Sequence, residues 1–136
     1  MAAPSTMPEN SLSEIQRRIL VALEEAGEDD FAALVNTVTE RVGAPGEIDA
    51  LVGGLTGLID LRMVQIARAR DSTSRRWMSI PSNESRALLK SAKLSFLWIS
   101  TERSWRWEPG RPRAQILLTA SGQRAAHDIL ARGGLH

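Results

Sequence analysis

Arginine recurs at 68, 70, 75 and 76, and again at 103, 106, 111 and 113. A guanidinium group is permanently charged and meets a phosphate through two parallel hydrogen bonds. Two such sets, each beside a turn sequence, would hold double-stranded DNA by its backbone and give affinity with little sequence information. A solvated arginine surface that only keeps the protein soluble has the same composition. Trp98, Trp105 and Trp107 lie beside Arg103 and Arg106. Displayed outward, their indoles could stack on bases; turned inward, alternate tryptophans of a hairpin form core or interface. Trp105 and Trp107 share one strand face, so they are expected to be displayed or buried together.

Gly53, Gly54 and Gly57 fall within one turn of a helical pattern, where each glycine costs roughly 1 kcal/mol against alanine. Close approach of another helix or of a partner protein would offset that cost. A weak or broken helix is the other reading. Catalytic chemistry has little to draw on: the histidines are His127 and His136, cysteine is absent, and no glycine-rich phosphate loop occurs. Glu24-Glu25 and Glu28-Asp29-Asp30 read as helix-end charges. No enzyme, metal or cofactor is expected.

Charge is divided along the chain. Met1 to Leu61 carries three basic against eleven acidic residues, net −8, and Arg62 to His136 carries fourteen against five, net +9. The second half therefore suits a polyanion or an acidic protein surface, unless the two halves face each other within the fold or across a dimer. The start MAAPSTMPEN has neither a basic opening nor an apolar stretch, and no later run is long enough to span a membrane. A cytoplasmic protein without membrane contact is expected.

These residues need elements to position them. Residues 1–10 read as a flexible tail and residues 11–136 as one domain. Ser11-Leu12-Ser13-Glu14 predicts a capping box opening a first helix, with Leu12, Ile15, Ile19, Ala22, Leu23 and Ala26 inward and Gly27 as its stop. Asp29 and Asp30 cap a second helix with Phe31, Leu34, Val35, Val38 and Val42 on one face, closed by Gly43. Ala44-Pro45-Gly46 turns into a third helix from Glu47, whose buried stripe is Ile48, Leu51, Val52, Leu55, Leu58 and Ile59. At Arg62 the spacing changes to a strand through Met63, Val64 and Ile66.

Asp71 to Ser74 predicts a turn and Arg75 to Ile80 a returning strand. A helix capped by Ser82 follows, with Leu88, Leu89, Ala92 and Phe96 inward and Arg86, Lys90 and Lys93 behind them. Leu97 to Ile99 and Trp105 to Trp107 suggest a second hairpin, Ala114 to Leu118 a strand, and Thr119 onward a last helix ending at Gly133-Gly134. The fold class is mainly α with small β-hairpins, in the element order of a winged helix-turn-helix.

Two stretches carry a family likeness. Leu51 to Ile66 resembles the exit of the recognition helix and the first wing strand of bacterial winged-helix regulators. Ile116-Leu117-Leu118-Thr119-Ala120-Ser121-Gly122-Gln123 resembles the strand-to-helix junction after the wing in MarR-like and PadR-like proteins. The resemblance implies a DNA-binding transcriptional regulator, dimeric through its first and last helices, with Arg68, Arg70, Arg75, Arg76, Arg103, Arg106, Arg111 and Arg113 on phosphates. The chain departs from these families in two ways. Residues 81–113 stand as a possible insertion, so residues 63–70 could pair with either 75–80 or 114–118. The outward face of the third helix should also carry Glu47, Asp49, Ala50, Gly53, Gly54, Thr56, Gly57 and Asp60, a set ill suited to reading bases. The competing expectation is an interaction module that has lost DNA binding and docks a partner protein through Gly53, Gly54 and Gly57 or through Trp105 and Trp107.

Overall fold

The structure, a computed structural model, describes residues 12–69, 77–111 and 114–133. Helix α1, Glu14–Ala26, is capped by Ser13, whose hydroxyl accepts the Gln16 N–H while the Gln16 side chain accepts the Ser13 N–H. The capping box therefore lies two residues beyond the expected Ser11 and Glu14. Leu12 is buried ahead of the helix, and Glu14 instead pairs with Arg17 and Arg18. Gly27, at φ 84°, ends α1 in a left-handed turn and donates its N–H to the Leu23 carbonyl.

Strand β1, Glu28–Asp30, precedes α2, Phe31–Val38, and Asp30 serves both elements because its carboxylate accepts the Ala33 N–H at 2.8 Å. α2 stops four residues short of the expected Val42, which is 62% exposed. The Thr39 hydroxyl bonds back to the Val35 carbonyl, and the chain then turns through left-handed Arg41 and Gly43. Helix α3, Pro45–Asp60, has proline at its first turn, where its fixed φ suits a helix start, so Pro45 opens this helix as well as ending the linker. Its exit is a Schellman turn in which Arg62, at φ 60°, takes the place usual for glycine, with Arg62 N–H on Ile59 and Met63 N–H on Leu58.

β2, Val64–Ala69, then runs between two partners. On one side it pairs with β3, Trp77–Ser79, and on the other with β6, Ala114–Leu118, so both strands left open as its partner are used. β1 completes an antiparallel sheet in the order β1-β6-β2-β3, with Ile66 opposite Ile116 and Asp29 opposite Ile116 on the far side.

Between β3 and β6 the chain forms α4, Ser82–Ala92, a single 3-10 turn at Lys93–Ser95, and a hairpin of β4, Phe96–Ile99, with β5, Ser104–Trp107. Pro81, not Ser82, occupies the cap position of α4, and no side chain caps it there. Phe96 leaves the helix stripe to begin β4. The last helix, α5, Ala120–Ala131, is capped by Thr119. Its start is locked to the α3–β2 junction: the Thr119 N–H donates to the Met63 carbonyl and its hydroxyl to that of Arg62. Gly122 packs so closely on Met63 that a Cβ there would run into the carbonyl oxygen.

One apolar core joins the five described helices to β2, β4, β5 and β6, with Leu20 and Leu23 of α1, Leu34 of α2, Leu55 of α3, Leu89 of α4 and Ile116 of β6 wholly buried. Among the described residues, five α-helices with small antiparallel sheets make the chain mixed α and β. No helix among the described residues is long and apolar enough to cross a membrane.

Candidate interaction face

The outward side of α3 is flanked by another helix, with Ala50, Gly53 and Asp60 still exposed. α4 packs along it in the opposite direction, anchored in the core by Leu89 and Ala92, and its basic side meets the carboxylates of α3. Lys93 Nζ lies 3.3 Å from Asp49 at one end, and the Arg86 guanidinium pairs with Asp60 at the other. Lys90 stands between them, exposed, and among the described residues no carboxylate pairs with it. A groove of about 570 Å³ runs between the helices, lined on α3 by Asp49, Val52, Gly53 and Thr56, on α4 by Arg86, Ala87 and Lys90, and by Lys93 of the 3-10 turn that follows.

The three glycines divide between two surroundings. Gly53 opens onto the groove, with nothing within 4 Å of where a Cβ would project. Gly54 is buried on α1, 3.2 Å from Ile15 and Ile19 by the same construction, and Gly57 faces Gln16, whose Nε2 donates to the Gly54 carbonyl. Close helix packing within the chain thus occupies Gly54 and Gly57, which leave the outward set.

Glu47 leaves it as well. Its carboxylate turns back to accept the N–H groups of Val42 and Gly43 and, at 3.1 Å, the Trp105 indole N–H. Burial works to raise the Glu47 pKa, but these bonds from Val42, Trp105 and Gly43, with another from Arg41, outweigh it and hold the carboxyl below its ordinary range. On β1, burial pushes the Asp29 carboxyl up, against the N–H bond from Asp30.

Trp98, Trp105 and Trp107 face inward. Trp105 is 7% exposed, and its backbone N–H and C=O are both taken by the Asn36 side chain at 2.8 Å. Trp107 stacks on Phe31 at 5.3 Å, and Trp98 covers Gly43 so closely that a Cβ there would meet the indole. Of the arginine set, Arg68 lies 3.8 Å from Glu84, while Arg106 and Arg111 pair with Glu102 and Glu108. Arg103, at φ 49° in the β4–β5 turn, is exposed. Arg70, Arg75, Arg76 and Arg113 lie outside the described residues.

No protein-family model matches this chain, and no curated protein or solved structure matches it. His127 meets Glu24 at 2.7 Å between α5 and α1, and among the described residues no three His, Cys, Asp or Glu side chains gather as a metal site. The sequence reading missed Asn36 and the inward role of Glu47. The spacing of charges did not reveal the α3–α4 face either, because Asp49 and Asp60 lie eleven residues apart and Arg86 and Lys93 only seven.

Proposed function

We propose that the chain is a winged-helix interaction module, an adaptor or inhibitor that docks a partner protein instead of reading base pairs. The winged-helix part is supported by the order of elements: β1 lies between α1 and α2, the chain passes through α3 into β2, and β6 returns between β1 and β2. The segment from β3 to β5 then extends the wing.

One observation carries the docking reading: α4 lies along the flank of α3, beside its outward residues, fixed by Leu89 and by the Arg86–Asp60 and Lys93–Asp49 pairs. A helix with its side chains is about 10–12 Å across, and a DNA major groove about 12 Å wide. Two helices packed side by side, roughly 8–10 Å apart, cannot enter it together. No catalysis belongs to this reading. A homodimer through α1 and α5 does, supported by Leu130 of α5, which is 41% exposed.

The second reading is a DNA-binding regulator whose wing arginines hold phosphates, favoured by the net +9 of residues 62–136. Fluorescence anisotropy with random-sequence duplex DNA across a salt series separates the two. The docking reading expects no binding at physiological ionic strength. Affinity that falls steeply with salt, with a shallower slope after Arg75→Ala and Arg76→Ala, would overturn it in favour of the regulator.

A further inference from the structure

The two helices of the groove form an antiparallel ladder of charge with a gap. α4 and the 3-10 turn after it offer a cation on each successive turn, at Arg86, Lys90 and Lys93, and like charges so placed repel. α3 answers the outer two with Asp60 and Asp49. Between those carboxylates, one turn from Asp49 and two from Asp60, it has Gly53, which offers neither a charge nor any bulk, so the groove that Gly53 shares with Lys90 is open there. The ladder spans about 16 Å, the rise of α3 from Asp49 to Asp60.

We infer that this gap receives a carboxylate from an acidic, small-residue helical segment of the partner protein, seated over Gly53 and paired with Lys90; the inference rests on the docking reading above. The carboxylate supplies the missing charge. Ala87, exposed in the groove lining, offers apolar surface to the small side chains beside it. A free phosphate ion would leave that surface unused, and the phosphates of a duplex lie on a convex cylinder that cannot sink between two packed helices.

The test is a titration of the full-length, ¹⁵N-labelled protein followed by its amide resonances. Four probes are compared: an alanine-based helical peptide with two glutamates four residues apart, the same peptide with lysines in their place, inorganic phosphate, and a random duplex. The glutamate peptide is expected to shift Gly53, Thr56 and Lys90 saturably, and the lysine peptide to leave them unmoved. Lys90→Gln is expected to weaken binding at least tenfold. Gly53→Leu, which fills the gap in a helix that gains from losing glycine, is expected to abolish it. No shift from the glutamate peptide, or affinity unchanged in Lys90→Gln, would overturn the inference. Phosphate matching the peptide on the same amides would overturn the peptide as occupant. A lysine peptide bound in the groove would overturn the charge argument and leave the docking reading standing. Salt-sensitive shifts from the duplex would overturn the docking reading itself.

Discussion

Glu47 ties together segments far apart in the sequence. Its carboxylate closes the α2–α3 linker through Val42 and Gly43 and reaches Trp105 of β5 across the core. Glu47→Ala strands the buried Trp105 indole N–H without its acceptor, so a loss of about 1–3 kcal/mol is expected in urea unfolding at neutral pH. The pH dependence follows from the lowered carboxyl pKa. A depressed acid contributes its full stability above its unfolded value and loses it as pH falls through the folded one. The gap between wild type and variant should therefore be widest at neutral pH and close on the acid side of the ordinary glutamate range. Gly122 makes a second prediction at this scale. Gly122→Ala presses a methyl group onto the Met63 carbonyl and should cost about 1–3 kcal/mol, measured by thermal unfolding, although alanine is the better helix former. Spacing alone could not reveal either role. A helical pattern places Glu47 on the outward side of α3, but a side chain in the first turn can fold back onto the linker before it.

At the scale of elements, α4 raises the question of what holds it on α3. Leu89 is wholly buried, whereas Arg86, Asp60, Lys93 and Asp49 are all exposed to a considerable degree. Exposed ion pairs contribute about 0–1 kcal/mol each, and a buried leucine cut to alanine costs about 2–5 kcal/mol. Leu89→Ala should therefore destabilise the protein severalfold more than Arg86→Ala combined with Lys93→Ala, with chemical denaturation as the readout. The ion pairs then set the register and charge of the face more than its strength. Both helices were legible, because Leu51 to Ile59 and Leu88 to Ala92 keep clean apolar stripes. Their mutual placement was not, since a stripe says which side is buried and not which neighbour buries it. β1 escaped notice for another reason: Glu28-Asp29-Asp30 has the wrong composition for a strand and is drawn into the sheet by backbone pairing with β6.

At the scale of the whole molecule, part of the charge division is settled internally. Arg86 and Lys93 of the basic half meet Asp60 and Asp49 of the acidic half. The helix order and the β4–β5 hairpin could be read from the sequence, while the central place of β6 could not, because nothing local distinguishes the middle strand of a sheet from its edge. That place has a kinetic consequence. β6 joins β1 to β2, yet it is made after nearly everything else. As the chain leaves the ribosome, α1, α2 and α3 can gather early, but β1 has no partner until residues 114–118 emerge. Contacts between segments so distant in sequence form slowly, since the intervening chain must be ordered before they stabilise anything. Pulse-labelling hydrogen exchange during refolding should find the β1 amides protected together with those of β6 and later than those of α1. Until that step the β2 edge stays open, and a newly made chain is then most exposed to strand pairing with its neighbours.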